Sequence, residues 1–550
     1  MPKWLVAAVF VLVHCAVPAR AKDELVIGIS QFPNNFNPAI GSMLAKSYIL
    51  AMARRPITIY DADWKLTCVL CTELPDLEKG TAKFEETKDG KPGIAVTYTL
   101  RPNMWWGDKT PITTRDVVFT WKVGKNKKAG VGNYELYRRI THIDVKDDNT
   151  FTLHLDKRTC DYQAINGFQL LPAHIEESNF KDPAEYRNRT AYDTNTTNPG
   201  LWFGPYKISK VVQGSYVVLE KNPMWTGKKP KFKRITIKAI EKTAALTANL
   251  LSGSIDYIAG EMGLALDQAL EFEKQHGKRF QFIYKPGLVY EHADVNLANP
   301  ILADKRVRQA LLHGLDREGI TKQLFDGKQP VAHGSVSPLD SVYNPDVPKY
   351  GYDPKRAKAL LKEAGWSTKR KGILHNAKGE RLQIEFMTTA GNKSRELVQQ
   401  VMQSMWRQIG IDVRIRNQPP RVYFGQTVRK RKFKGLAKFA WLSAPRNIPL
   451  TTLHSTRIPG DDNGWSGQNY TGYNNPRMDK IIDDMQVVCE PDKNRALWHE
   501  MQTLYSTELP VLPLYFRASA FIFPKWLKGV TPTGHQYTST HWVEDWYAEK

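Results

Sequence analysis

The sequence predicts an α/β protein of two lobes, joined by a pair of crossing strands, with an extra β-rich subdomain inserted in the first. Three observations carry this. Leu397, Val401, Met405 and Ile409 stripe one face of a helix over 394–410, and Ile411, Val413 and Ile415 alternate directly after it. A helix feeding at once into a strand is an αβ unit. The stretch from Leu288 to Pro330 opens with a short β-prone segment, Val289 to Leu297, and then turns helical. Asp304 stands at an N-cap position, and Val307, Ala310, Leu311 and Leu315 recur at helical spacing. Ile320 and Leu324 extend that stripe to Gly327 as one helix. Nothing there is catalytic in type; the chain leaves one lobe, crosses on a strand and founds another. Finally, turn-bounded strands such as TFTLHL (150–155) place a β-rich subdomain at about Glu73 to Asn198.

Taken in order, residues 1–21 read as a secretory signal peptide. Lys3 is its basic start, Trp4 to Val13 its apolar run, and Ala19-Arg20-Ala21 its cleavage site. The run is too short to span a membrane. Lipid anchoring through Cys15 is disfavoured because His14, not a small residue, precedes it. The mature chain starts at Lys22, and ELVIGIS (24–30) is its first strand. QFPNNFNP (31–38) is a polar turn. In WWGDKTPITTRDVVFTW (105–121), Trp106-Gly107-Asp108 makes a tight turn, Thr113 or Thr114 caps, and Asp116 to Trp121 starts a helix. The aromatics there read as core. Gly204-Pro205-Tyr206 returns to strand, Val217 to Asn222 and Lys233 to Ala239 are strands, and a helix ends near Gly253. Asp353 and Pro354 are a cap and a first-turn proline for a helix lined by Ala357, Leu360, Leu361 and Ala364. Two further helices carry Met478, Ile481, Ile482 and Met485, then Leu497, Met501 and Leu504. Leu509 to Phe523 is apolar and punctuated by proline.

The formal charge is +22, and losing Lys3 and Arg20 with the signal lowers it by two, to +20, so the excess lies in the mature protein. The basic runs Arg429 to Lys432 and Lys369 to Lys371 flank turns and read as solvated loops, not as a nucleic-acid surface. Nucleophile-elbow, zincin, P-loop and dinucleotide-binding motifs are all missing, and His499-Glu500 lacks its second histidine. Asp461 to Gly464 matches a calcium loop for four residues only and reads as a polar turn. The thirteen histidines are scattered. No catalytic residue, cofactor or metal is expected. Cys68 and Cys71 form a C-x-x-C without a second pair for zinc, and Pro75 follows too soon for a redox helix. A local disulfide or two buried thiols remain open, and Cys160 and Cys489 are free to pair.

Several of these segments share an order. A strand ending in Asn296 leads to D-K-R-V-R-Q-A-L and L-D-R-E-G-I, and Y-D-P-K-R-A-K-A-L-L-K-E-A-G-W runs without a gap from Tyr352 to Trp366. With the W-W-G-D and G-P-Y segments, the chain resembles the family 5 extracellular solute-binding proteins, the peptide-, nickel- and oligosaccharide-binding proteins of ABC importers. The resemblance implies the bilobed periplasmic-binding-protein fold. Lobe I is then 22–286 with the subdomain at about 73–198, lobe II is 287–510, and 511–550 return to lobe I. It also implies a periplasmic monomer that hands its solute to permease subunits and their ATPase, with no enzymatic step.

The same resemblance picks site residues. The loop after the first N-P turn faces the cleft, which nominates Ser42 and Met43; Tyr290 lies on a crossing strand. Peptide-binding relatives have a strand ending in Trp, followed by an acidic loop that receives the peptide's α-ammonium. Here Trp441 is kept, but Ser443-Ala444-Pro445-Arg446-Asn447 follows. The acid is gone, and Arg446 either suits a carboxylate, phosphate or sugar hydroxyl, or points to solvent. Trp465 and Tyr470 either close over the solute or pack on their own lobe. A peptide or peptide-like solute is the default. The alternatives are an oligosaccharide, opine or other anion, and a periplasmic chaperone or receptor role.

Overall fold

The computed structural model describes residues 22–40, 43–131, 134–419, 422–461 and 467–549. Residues 1–21, read from sequence as a signal peptide, and Ser42 and Trp465 therefore lie outside the described residues.

One mixed sheet of ten strands runs through both lobes. In chain order its strands are β1 (Glu24–Ile29), β2 (Tyr206–Val212), β3 (Tyr216–Lys221), β4 (Arg234–Ala239), β5 (Tyr257–Ile258), β6 (Phe280–Val295), β7 (Gln383–Met387), β8 (Asp412–Ile415), β9 (Leu436–Leu442) and β10 (Val511–Pro524). Across the sheet the order is β8-β7-β9-β6-β10-β5-β1-β4-β3-β2. The long antiparallel pair β6 and β10 is the bridge. Phe280 to Pro286 pair with Pro524 to Ala518 on the lobe I side, and Val289 to Asp294 pair with Arg517 to Val511 on the lobe II side. Only in the second half does β6 also pair with β9, Val289 opposite Leu442 through Val295 opposite Leu436.

The crossing strand is longer than its sequence suggests. Pro286-Gly287 looks like a boundary, yet Pro286 sits inside β6, next to the register shift between Pro286 and Val289. A bulge is one of the few places in a sheet where the missing N–H of proline is tolerated. The unpaired Leu288 N–H donates instead to the Gly534 carbonyl at 2.7 Å. A Cβ on Gly287 would run into that same carbonyl oxygen, so close backbone approach explains the glycine.

The helix founding lobe II is two helices, Lys305–His313 and Arg317–Phe325. Asp304 caps the first as read from sequence, accepting from the Arg306 N–H. The apolar stripe continues across both, but Asp316 accepts from Gly319 N–H at 2.7 Å and starts a new helix. Asp353 caps Pro354–Glu363, and Thr113 makes a capping box with Asp116 for Thr114–Lys125.

The inserted region builds a four-stranded antiparallel sheet in the order Ala82–Glu86, Pro92–Thr99, Thr150–Leu155, Ile140–Val145. It has its own core, including Val96, Tyr98, Phe151 and the fully buried Trp106. The Trp106 Nε1–H donates to Asp116, and its ring meets Phe203 edge-on at 4.8 Å. Cys68 is bonded to Cys71, and Cys160 to Cys489. The second disulfide spans 329 positions and ties the inserted region to the turn between helices Pro476–Val487 and Pro491–Glu508.

Candidate functional site

Strand periodicity builds the floor of the site. Side chains two apart on a strand share a face, so Tyr290, His292 and Asp294 of β6 point the same way. The register sets Tyr290 opposite Trp441 and His292 opposite Phe439 of β9. Tyr290, His292, Asp294 and Trp441 floor a cavity of about 140 Å³. Its walls come from elsewhere in the chain and include Asp340, Ser443, Trp498 and Tyr505. The Tyr290 and Tyr505 hydroxyls meet at 2.9 Å. His292 stacks on Tyr290 at 4.9 Å and approaches Asp294 at 3.3 Å. Trp441 leans edge-on against Phe439 and stacks on Tyr470.

The opposite face of the same strands holds buried charge. Glu291 (2% exposed) receives Arg395 Nε–H at 3.0 Å, with Lys438 Nζ at 3.7 Å and Arg517 at 3.9 Å. Burial alone would raise the Glu291 pKa. Arg395, Lys438 and Arg517 together overcome that and hold it at about 2. Burial pushes Lys438 down to about 8, against the pull of Glu291.

Across the cleft a second cavity, of about 400 Å³, opens in lobe I, and Leu442 at the end of β9 lines both. The helix Leu44–Ala53 supplies one side, with Lys46, Ser47 and, just past its end, Arg54. Tyr137, Gln169 and His541 supply others. Among the described residues, no aspartate or glutamate lines this cavity. Lys46 donates to the Asn37 carbonyl at 2.8 Å and to Asn35 and Ile40, and burial lowers its pKa to about 8. Burial drives His541 well below its ordinary value, with Arg55 and Arg54 adding repulsion.

Of the residues nominated from sequence, Tyr290, Trp441 and Ser443 line the first cavity together. Tyr470 does not line it; it supports Trp441 from behind within the core with Phe439 and Tyr423. Met43 packs on the lobe I core, while its neighbours Leu44 and Ser47 line the second cavity. Arg446 lines neither cavity. It sits at φ +54° with an exposed side chain, and its backbone N–H donates to Asp340 at 2.8 Å. That bond brings an acid to the loop after Trp441 from a different segment. Asp340 is 7% exposed, lines the first cavity, and has its pKa raised by burial. Nothing in SPLDS (337–341) signals this. Arg54 was equally hidden in a basic helix end.

The histidines are less scattered than the sequence implies. His142, Asp144 and His154 gather on the four-stranded sheet within 4.8 Å. However, the two rings stack face to face at 3.9 Å, and Glu85 and Asp144 already engage His154. An ion between parallel rings would lie out of both ring planes, so the group does not form a metal site.

Among the described residues no helix is long and apolar enough to cross a membrane. The oligopeptide-binding protein of Thermus thermophilus, solved with a pentapeptide, superposes with a TM-score of 0.78 at 30% identity, covering 96% of each chain. The oligopeptide-binding protein AppA of Bacillus subtilis is 26% identical over 96% of this chain and 92% of its own. The nickel-binding periplasmic protein of Escherichia coli is 24% identical over 92% of each. Residues 76–456 match the description "Bacterial extracellular solute-binding proteins, family 5 Middle". With its bilobed sheet and facing cavities, this chain belongs to the family 5 bacterial extracellular solute-binding proteins.

Proposed function

We propose that this chain captures a peptide or peptide-like solute in the periplasm and delivers it to the permease subunits of an ABC importer, without breaking a bond. The observation that carries the reading is the pair of facing cavities around Leu442. One has an aromatic floor at Tyr290 and Trp441 with Asp340 and Asp294 beside it; the other has a cationic wall. Aromatic faces take peptide backbone and side chains at low entropic cost. Asp340 stands where an α-ammonium needs a fixed anion, which answers the missing acid after Trp441. Sequence and structural relatives that bind oligopeptides support the same assignment.

In this reading lobe I is 22–286 with 511–550, and carries the subdomain at 73–198; lobe II is 287–510. The lobes close about the bulge at Gly287-Leu288, where β6 changes register. The Cys160–Cys489 bond limits how far they part. Closure buries the solute against Trp441 and Trp498, so binding shifts tryptophan emission. The test is a fluorescence and calorimetric titration with a pool of tri- to pentapeptides. Saturable binding with an emission shift supports the reading. Heat and emission both unchanged by peptides, with saturable binding of an oligosaccharide, would move the assignment to a non-peptide carrier.

A further inference from the structure

A basic face lies at the outer end of lobe II, where β8 is the last strand of the ten. Residues 353–381 hold nine Lys and Arg against three Asp and Glu. The helix Pro354–Glu363 buries Ala357, Leu360 and Leu361. Helical spacing then gathers Lys355, Lys358 and Lys362 in one exposed stripe on the other side. The next segment reads from sequence as a solvated loop, but it folds as a hairpin of Thr368–Arg370 with Ile373–His375. Lys371 (φ +47°) and Gly372 (φ +85°) make its two-residue turn, the left-handed pair that fits the twist of a hairpin. Lys369, Arg370 and Lys371 are therefore held out as a fixed tip, all three exposed. The hairpin is anchored to the lobe: Leu374 N–H donates to the Gly410 carbonyl at 2.8 Å, just after the helix Lys393–Gln408. Beside it, Arg381 and Arg414 share the single carboxylate of Asp412, at 3.0 and 3.1 Å.

The nearby acids are already engaged. Asp353 caps the helix, Glu363 pairs with Arg356, and Glu380 receives the Asn376 amide. Among the described residues, no carboxylate lies within ion-pairing distance of the three helix lysines or of the three cations at the hairpin tip. Like charges gathered on one face repel one another, so a partner of negative charge stabilises it. Composition says which partner. Lysine is depleted from protein–protein interfaces, which centre on aromatic anchors. Among the exposed large apolar side chains, only Tyr352 falls between 352 and 381. Five of the six unpaired cations are lysines. Their compact point charges suit a diffuse array of phosphates, not one forked acid. We propose that this end of lobe II docks on an anionic lipid surface, through the hairpin tip and the helix stripe. None of these residues lines either cavity, so the inference goes beyond solute capture. Only its benefit, holding a solute carrier beside membrane-embedded permease subunits, rests on the importer reading above.

The test is co-sedimentation of the full-length mature protein with vesicles at low salt. Phosphatidylcholine alone is set against phosphatidylcholine with about 30% phosphatidylglycerol. Wild type is compared with three triple variants. One carries Lys369→Gln, Arg370→Gln and Lys371→Gln; another carries Lys355→Gln, Lys358→Gln and Lys362→Gln. The third, Lys88→Gln, Lys91→Gln and Lys146→Gln, removes the same charge from exposed turns of the inserted sheet. The expected result is that wild type binds anionic vesicles, ignores neutral ones and is released as salt rises past about 0.3 M. The hairpin and helix variants each bind about 100-fold more weakly, at about fivefold per charge. The remote variant weakens by less than about threefold, because screening confines the attraction to charges near the lipid. Wild type that sediments with neither vesicle, or with both alike, overturns the proposal. So does a hairpin or helix variant that binds like wild type, or a remote variant that loses as much as they do. Capture of polyglutamate or duplex DNA in place of vesicles also overturns it, giving the face to an acidic protein or a nucleic acid. Each of these outcomes leaves solute capture intact, which the peptide titration tests separately.

Discussion

Replacing Glu291 by Gln strips the counter-charge from three cations that back the floor of the cleft. Glu291 and Lys438 (0% exposed) are both fully inside, and Arg395 bonds the carboxylate at 3.0 Å. The carboxyl titrates at about 2 instead of 4.5. At about 1.4 kcal/mol per pKa unit, that difference is worth about 3 kcal/mol to the folded state. Breaking a buried network by removing one partner costs a similar amount, about 3–5 kcal/mol. Glu291→Gln therefore lowers the unfolding free energy by about 3 kcal/mol at pH 7. The sign with pH follows from the depressed value. The unfolded carboxyl binds its proton at higher pH than the folded one, so the contribution is complete above 4.5 and drains away as pH falls toward 2. Urea unfolding, followed by tryptophan emission at pH 7 and again at pH 3, is the assay. The variant's deficit should be large at pH 7 and much smaller at pH 3. A deficit below about 1 kcal/mol at pH 7, on the scale of an exposed pair, or one that does not shrink in acid, would refute the reasoning. Lys438 runs the other way. Its folded value of about 8 lies below 10.5, so its ammonium is a cost below that range, and wild-type stability rises as pH climbs from about 8 to 10.5.

Two further outcomes follow from the crossing. Gly287→Ala pushes a Cβ into the Gly534 carbonyl and should cost about 1–3 kcal/mol, read as a lower melting temperature; an unchanged melt would show that the bulge yields freely. Removing the long-range disulfide with Cys160→Ser and Cys489→Ser should cost about 2–4 kcal/mol in urea unfolding and enlarge the ligand-free radius of gyration by X-ray scattering. An unaltered radius would deny that this bond limits lobe separation.

Local chemistry was the legible part. Asp304, Asp353 and Thr113 cap helices because a short oxygen-bearing side chain beside an apolar stripe has one efficient use. A β-branched, apolar run gave away β1 and alternation gave away β4, and Trp106 proved to be core, as its turn context implied. Asp316 shows where such reasoning slips: the stripe runs on through it, but the first helix ends at Gly314 and the Asp316 side chain caps a new one by accepting from Gly319 N–H. The Pro286-Gly287 bulge escaped because its cause, the Gly534 carbonyl, comes from the far end of the chain. The site divides in the same way. Tyr290, Trp441 and Ser443 share a cavity, as expected of residues flanking one strand pair. Arg446 stands close to Trp441 in sequence, yet it is its backbone N–H that Asp340 engages, and the residue lines neither cavity. Asp340 and Arg54 became visible only in three dimensions. Their surroundings depend on what distant segments bring to them: the Arg446 amide for one, and Gln169 and Phe203 for the other.

Capture of a solute against the Trp441 strand is the centre of the account. Native mass spectrometry reads it directly on protein released from the periplasm without refolding, wild type beside Trp441→Ala. The account predicts a ladder of bound masses matching short peptides on wild type, and its loss or strong depletion in the variant. A wild-type protein that carries nothing, or a bound mass that Trp441→Ala leaves untouched, would contradict it.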